Sequence, residues 1–426
     1  MKNFTIVLIT FFTFSSVLTS QSFFDENFED ASLRIDFTLA GDKDTETAYL
    51  TEIKKEPFWG GTKKNLIDRF DYGTYRLCVT DKSSGDTLYT AGFCSLFEEW
   101  QTTEEAKNDP KAFYQSVTIP FPKNDVTVEI KRRQRNGTLT QLLKTDISPD
   151  TYSVIKEKPV FADVVKIVDN GSSDKNVDIV FVADGYTKEE MDKYISDIKM
   201  LTDYLFSFPP YDKYKDKFNI WAVKSVSQES GCDDPRKNIW VNTAVNSSFN
   251  TFNSDRYLES LDVKSIRDYA ANAPYDQIYV LVNTEKYGGG GIYNHFSLTS
   301  AGNDYSKQVF IHEFGHAFAG LGDEYFYTND NTYNDFYDLK TEPWQPNLTT
   351  LVDFDSKWKS MLAKDTPIPT PSTDTLDVGV YEGAGYVAKG MYRPAIDCRM
   401  KTNTAKGFCP VCRKAISDLI LFLSDE

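Results

Sequence analysis

Two histidines one helical turn apart, His312 and His316, constrain this chain more than any other feature. They bracket His312-Glu313-Phe314-Gly315-His316, an HExxH run, in a sequence of 426 residues that holds only three histidines. On an α-helix, positions i and i+4 share a face, so both imidazoles can reach one metal ion. Glu313 then stands where a carboxylate can take the proton of an attacking water. Two imidazoles at this spacing suit Zn²⁺, which lowers the pKa of a water toward about 7 and supplies a nucleophile at neutral pH. Lys307-Gln308-Val309-Phe310-Ile311 leads into the motif with helix-compatible sequence and apolar positions to bury. The alternative is a pair of histidines satisfied in a helical core. Packing alone does not explain two of three histidines on a single turn.

A catalytic zinc needs a third protein ligand and an open position. His295, the remaining histidine, lies on Gly288-Gly289-Gly290-Gly291-Ile292-Tyr293-Asn294-His295, a loop that enters an extended strand. Closer to the motif is Ala319-Gly320-Leu321-Gly322-Asp323-Glu324-Tyr325. Gly320 and Gly322 let the chain leave the helix and turn back, because glycine tolerates positive φ. Asp323, seven residues past His316, then returns a carboxylate to the metal. The reading is His312, His316 and Asp323 as metal ligands with Glu313 as the catalytic base. Glu324, His295 and the later acids Asp335, Asp338 and Glu342 compete for the third ligand position.

The rest of the chain divides by its local patterns. Residues 1–20 carry Lys2, an apolar run from Ile6 to Leu18, and Thr19-Ser20, which read as a signal peptide. The run is shorter than the roughly 20 apolar residues needed to span a bilayer, and no later segment is apolar enough. Gln21 to Ser32 is a candidate leader without a marked processing site. Residues 21–158 read as a β-sandwich of immunoglobulin size. Leu33 to Leu39 alternates apolar and polar, the period of a half-buried strand, and Asn136-Gly137 between two such runs signals a hairpin. Ser148 to Gly171, with Pro149 and Pro159, links the halves. Residues 159–426 alternate strands and helices: Val177 to Ala183, a helix from Thr187 to about Phe206, Phe218 to Val223, and Gln277 to Val282. The expected class is α+β overall, an N-terminal β-sandwich followed by an α/β catalytic domain.

Charge and cysteines bound the setting. Forty-seven basic against 63 acidic residues give a net charge of −16, which repels nucleic-acid phosphates and anionic lipid. The sequence is 40% hydrophobic, enough to bury sizeable cores and exclude general disorder. Six cysteines, all beyond the leader, fit an oxidising compartment. Cys78 and Cys94 flank a turn and are candidates for a bridge across a hairpin. Cys409-Pro410-Val411-Cys412 admits a redox pair, half a zinc site, or two cysteines in separate disulfides, and a structural staple fits best. Asn329-Asp330-Asn331 and Asn334-Asp335 are oxygen-rich, but neither matches a calcium loop.

On these residues the chain resembles the IgA metallopeptidase family, secreted bacterial zinc peptidases placed near the metzincins. The resemblance rests on HEFGHAFAGLGDEY at 312–325, DIVFVADGY at 178–186 and FCPVC at 408–412. It covers residues 159–426 and extends to the N-terminal β domain. The usual metzincin pattern is HExxHxxGxxH. Here Gly320 and Asp323 each fall one residue later, so the loop is longer by one and ends in Asp. The resemblance implies a metzincin-like fold and a methionine on a tight turn beneath the ligands, for which Met400 is chosen over Met361 and Met391. It also implies an edge strand within Tyr287 to Ser297 that binds substrate, its glycines admitting a peptide backbone. A group that stabilises the oxyanion is expected too, with Tyr392 and Arg393 as candidates.

The sequence therefore predicts a secreted zinc endopeptidase acting on a protein or glycoprotein, with no nucleic-acid partner and no membrane span, and it carries no signal for an oligomeric state. A non-catalytic adhesin or glycan-binding protein on the same scaffold is the alternative of another class. A zinc hydrolase of non-peptide amides is a third.

Overall fold

The computed structural model describes residues 23–327 and 336–424. The expected signal peptide and the oxygen-rich patches at 329–331 and 334–335 lie outside the described residues.

The N-terminal half is built from β1 (Phe28–Gly41), β2 (Glu46–Glu56), β3 (Tyr75–Asp81), β4 (Thr87–Phe93), α1 (Leu96–Trp100), β5 (Lys111–Pro122), β6 (Val126–Arg133), β7 (Leu139–Ile147) and β8 (Val154–Ile155). These strands form two four-stranded sheets, ordered β5-β1-β2-β8 and β4-β3-β6-β7. Their inner faces share one core that includes Ile35, Phe37, Leu77, Val79, Ile119, Val128 and Ile130. The turn at Asn136-Gly137 closes β6 onto β7, with Gln134 N donating to Thr138 O at 2.8 Å and Gly137 at φ 81°. Cys78 pairs with Thr90 across β3 and β4, whereas Cys94 follows Phe93, the partner of Tyr75. Three or more residues of strand therefore separate the two thiols, on the order of 10 Å. A disulfide needs its Cα atoms within about 7 Å, so these two cannot bridge.

The strand at Leu33 to Leu39 departs from the expected half-buried pattern. Both of its faces are covered, because the helix Val263–Ala270 of the second half packs over the polar side. Arg34 and Asp36 are each 1% exposed. Arg34 Nη1 meets Asp268 Oδ1 at 2.8 Å and Glu56 Oε1 at 3.2 Å, and its Nη2 meets Asp36 Oδ2 at 2.8 Å. Alternation marks which residues are polar. It does not reveal that their face is buried as an ion-pair network between the halves.

The second half is organised by a six-stranded sheet made of β9 (Val164–Val168), β10 (Val177–Asp184), β11 (Phe218–Val223), β12 (Gln277–Val282), β13 (Gly289–Ile292) and β14 (Phe296–Ser300), in the order β13-β14-β12-β10-β11-β9. The central strands β11, β10, β12 and β14 run parallel, and both edges are antiparallel. β9 arises inside the segment read as a linker, so part of that linker belongs to the sheet. Apolar runs such as Val177–Ala183 are buried on both sides, as a helix-flanked parallel strand requires. Val177, Ile179 and Phe181 face α2 (Met191–Leu205) and α4 (Ser306–Ala319), while Val180 and Val182 face α3 (Val263–Ala270). Thr187 precedes α2, where its N–H donates to Glu190 Oε2 at 2.9 Å as one half of a capping box. A hairpin of β15 (Tyr381–Ala384) and β16 (Val387–Arg393) and the helix α5 (Pro410–Leu423) complete the fold. Among the described residues no helix is long and apolar enough to cross a membrane.

Candidate metal centre

The HExxH run lies in the last two turns of α4, whose apolar residues Val309, Phe310, Phe314 and Phe318 are buried. His312 and His316 are left on the face that opens into a cleft, with side-chain exposures of 15% and 17%. The helix ends at Gly320, which adopts φ 60° and ψ 27°. Gly320 N then donates to His316 O at 3.1 Å and Leu321 N to Gly315 O at 3.2 Å, the C-terminal closure that a left-handed glycine permits. Gly322 serves a different purpose from the one expected. Its φ is not positive; a Cβ there would lie 2.4 Å from Leu348 Cδ1, so this glycine gives room for packing.

The turn brings Asp323 back over the helix. Its Oδ1 stands 3.2 Å from His312 Nε2 and 3.3 Å from His316 Nε2, and the two Nε2 atoms are 3.1 Å apart. A tetrahedral ion with bonds of about 2.0–2.1 Å holds its ligand atoms about 3.3–3.4 Å apart, so these three atoms match three corners of such a shell. Both imidazoles present Nε2 because Nδ1 is engaged elsewhere. His312 Nδ1 lies 2.9 Å from Arg399 O and His316 Nδ1 lies 2.6 Å from Leu321 O. Asp323 Oδ2 accepts from Tyr386 Oη at 2.7 Å, whereas Oδ1 is buried and faces only the two imidazole nitrogens. A buried carboxylate oxygen aimed between two imidazole nitrogens fits a divalent cation.

Electrostatics agree. Burial would lower His316, yet the adjacent Asp323 carboxylate pushes it up to about 9, and His312 is raised in the same way. Burial would raise Asp323, but His316 and His312 hold it below the usual carboxylate range. The site therefore gathers positive charge. Glu313 sits beside it, its carboxylate oxygen within 4.8 Å of both histidine ligand atoms. Burial pushes the Glu313 carboxyl up, against the opposing effect of the imidazoles.

Met400 is fully buried directly under the motif. A Cβ on Gly315 would meet its Sδ at 2.8 Å, so the glycine inside the motif makes room for this methionine. Met400 follows the turn at Cys398, where Lys401 N and Thr402 N both donate to Cys398 O, and its own carbonyl accepts from Glu324 N at 2.8 Å. Met391 lies on β16 in a separate small cluster.

The other candidates are elsewhere. His295 is buried behind the sheet with Nδ1 3.4 Å from Arg267 Nη2. Glu324 points away from the histidines toward Cys412. Asp338 and Glu342 line the outer part of the cleft, where Asp338 caps Lys340 N and Glu342 accepts from Thr350 and Asp353. Asp335 lies outside the described residues. Arg393 is spent on the carbonyls of Glu382 and Gly383, and neither it nor Tyr392 lines the cleft. Residues that the sequence reading missed do line it, notably Tyr386, Tyr325 and Arg256. Tyr386 reaches Asp323 across 63 residues, from a tight turn where it adopts φ 70°. No local pattern announces that contact.

The cleft has a volume of about 1660 Å³ and lies between the two halves. Glu98, Glu99 and Arg133 come from the N-terminal half, and β13 forms part of the opposite wall. As expected of the segment from Tyr287, β13 is an edge strand, but its glycines answer first to the protein itself. A Cβ on Gly291 would lie 2.3 Å from Glu313 O, and one on Gly290 would lie 2.0 Å from Glu259 Oε1.

The family description "IgA Peptidase M64" matches residues 165–377 and 372–420, and "Peptidase M64 N-terminus" matches residues 23–144. No curated protein sequence matches the chain.

Proposed function

This chain belongs to the IgA Peptidase M64 family and is thus a peptidase, and on that premise we propose that it is a secreted zinc-dependent endopeptidase of metzincin-like fold. His312, His316 and Asp323 hold the metal. When bound, zinc supplies Lewis acidity that polarises a scissile carbonyl and lowers the pKa of a water toward about 7. Glu313 takes the proton of the attacking water and returns it to the nitrogen of the leaving amine. The raised Glu313 carboxyl suits a group that must accept and then give up a proton. Tyr386 orients Asp323, and the carbonyls of Arg399 and Leu321 orient the two imidazoles. Met400 supports the floor of the site beneath Gly315.

The triangle of His312 Nε2, His316 Nε2 and Asp323 Oδ1, with sides of 3.1–3.3 Å, carries this reading. An extended segment of a protein or glycoprotein would add to β13 by main-chain hydrogen bonds beyond Gly289, which Tyr257 already bridges. The family's name does not confine the substrate to IgA. Export rests on residues 1–20, and an N-terminus of the mature protein near Gln21 is the expected result.

The test is chelation and replacement. Removing the metal should abolish hydrolysis of peptides and zinc should restore it, while Glu313→Gln should keep its histidine-bound zinc and stay inactive. Hydrolysis that survives in the metal-free chain would contradict the proposal.

A further inference from the structure

A second set of ligand-type side chains lies on the far side of the turn that carries Asp323. Glu324, Cys398, Cys409 and Cys412 each offer one ligand atom, and these four atoms lie within 4.8 Å of one another. Glu324, Cys398 and Cys412 are 0% exposed and Cys409 is 5% exposed. We propose that these four residues form a closed structural zinc site, separate from the histidine site and adjoining it through the Asp323-Glu324 pair.

The distances carry the proposal. Bonds of about 2.3 Å to sulfur and about 2.0 Å to oxygen set tetrahedral sulfur atoms about 3.8 Å apart and sulfur–oxygen pairs about 3.5 Å apart. Here Cys398 Sγ and Cys412 Sγ are 3.8 Å apart, and Glu324 Oε1 lies 3.2 Å from Cys412 Sγ and 4.0 Å from Cys409 Sγ. A disulfide is not consistent with that spacing, since bonded sulfurs lie about 2.0 Å apart. One disulfide among three cysteines would also strand the third thiol.

The carboxylate is the second observation. Glu324 Oε2 is buried with no hydrogen-bond partner, while Oε1 accepts from Asn347 Nδ2 at 3.0 Å. A carboxylate buried among three sulfurs must either stay protonated, as burial favours, or be joined by a cation, and the tetrahedral spacing of the four ligand atoms favours the cation. Arg393 and Lys401 both act on it, but Arg393 donates to the carbonyls of Glu382 and Gly383 and Lys401 to that of Ile396. The site is also pre-shaped for sulfur ligands. Cys409 is the N-cap of α5, with Cys412 N donating to its Sγ at 3.5 Å, and Cys409 N donates to Cys398 Sγ at 3.2 Å. Backbone N–H groups at a helix N-terminus favour thiolates. Three sulfurs and one oxygen select zinc over hard cations, and four protein ligands leave no position for catalysis.

Such a site would fasten the floor of the cleft. Cys398 begins the turn that carries Arg399, whose carbonyl holds His312, and Met400, which lies under Gly315. Glu324 is bonded directly to Asp323. One cation would thus fix two ligands of the neighbouring site.

Zinc analysis of the full chain tests this. The wild type should carry two zinc ions per chain. His312→Ala/His316→Ala should retain one, whose X-ray absorption shows sulfur neighbours at about 2.3 Å. In that variant, denatured without reductant, Cys398, Cys409 and Cys412 should all become reactive to a thiol reagent once zinc is chelated. Cys409→Ser/Cys412→Ser should lose that ion, but the histidine variant alone decides the matter if the cysteine variant does not fold. Absence of sulfur-bound zinc in the histidine variant overturns the proposal. So does a requirement for reductant before these thiols react, which would mean a disulfide. Activity is not the readout, so failure here leaves the histidine site untouched.

Discussion

His312 and His316 each engage one ring nitrogen with a backbone carbonyl, and that choice decides what the other nitrogen can do. With Nδ1 facing Arg399 O and Leu321 O, Nε2 of each ring is the atom left to take a proton or a metal, and Asp323 Oδ1 completes the triangle. Tyr386 holds that carboxylate through its other oxygen. Loss of such a supporting contact costs about 10–100-fold in metal affinity in comparable sites. Tyr386→Phe should therefore loosen zinc at the histidine site by about that factor, measured by competition with a chelator. Unchanged affinity would show that Asp323 is held without it. The histidines and Glu313 were legible because helical spacing brings them together locally. The return of Asp323 toward the histidines was legible because a glycine closes the helix just before it. Tyr386 was not, because a separate hairpin delivers it. Tyr392 and Arg393 were chosen by closeness in sequence to the Met400 turn, and the hairpin turns them away from the cleft.

Among the elements, β13 and α4 meet backbone to backbone. The run Gly288 to Gly291 resembles a loop in sequence, yet Gly289–Ile292 is a strand that lies directly against the backbone of the HExxH helix. Glycine is needed where two backbones meet. Gly291→Ala places a Cβ 2.3 Å from Glu313 O, so the strand or the helix must move. Overpacking of this kind costs about 1–3 kcal/mol. The variant should melt at a lower temperature and lose turnover as Glu313 shifts. Wild-type melting and turnover would mean that the two elements are not so tightly registered. The parallel strands β10, β11 and β12 were readable as largely apolar runs, broken only by Asp178 in β10 and Asn219 in β11. β1 was readable as a strand but not as a doubly buried one, since its polar face is covered by α3, more than two hundred residues away along the chain.

At the scale of the whole molecule, the two halves are not independent beads. Ile292 and Tyr293 of the second half belong to the core of the first. Cys94 N donates to Tyr293 O at 2.9 Å, Tyr257 Oη to Glu99 Oε2 at 2.6 Å, and Arg34 pairs with Asp268. Residues 159–426 produced alone would expose that apolar surface and leave Asp268 without its arginine. They should show no cooperative unfolding transition, while the full chain shows a single one in calorimetry. A cooperative transition in the isolated half would refute this dependence. The sequence marked where the character of the chain changes, but a boundary in composition does not disclose an interface. That interface also forms the cleft, so the N-terminal half lines the space in front of the two histidines. The central claim is hydrolysis of peptide bonds dependent on Glu313. Its most direct test is to incubate zinc-loaded wild-type and Glu313→Gln proteins with a denatured proteome and sequence the new peptide termini. New termini from the wild type alone are the result this account predicts, and they would report the residues preferred on either side of the cleaved bond. The same termini from both proteins, or none from the wild type, would contradict it.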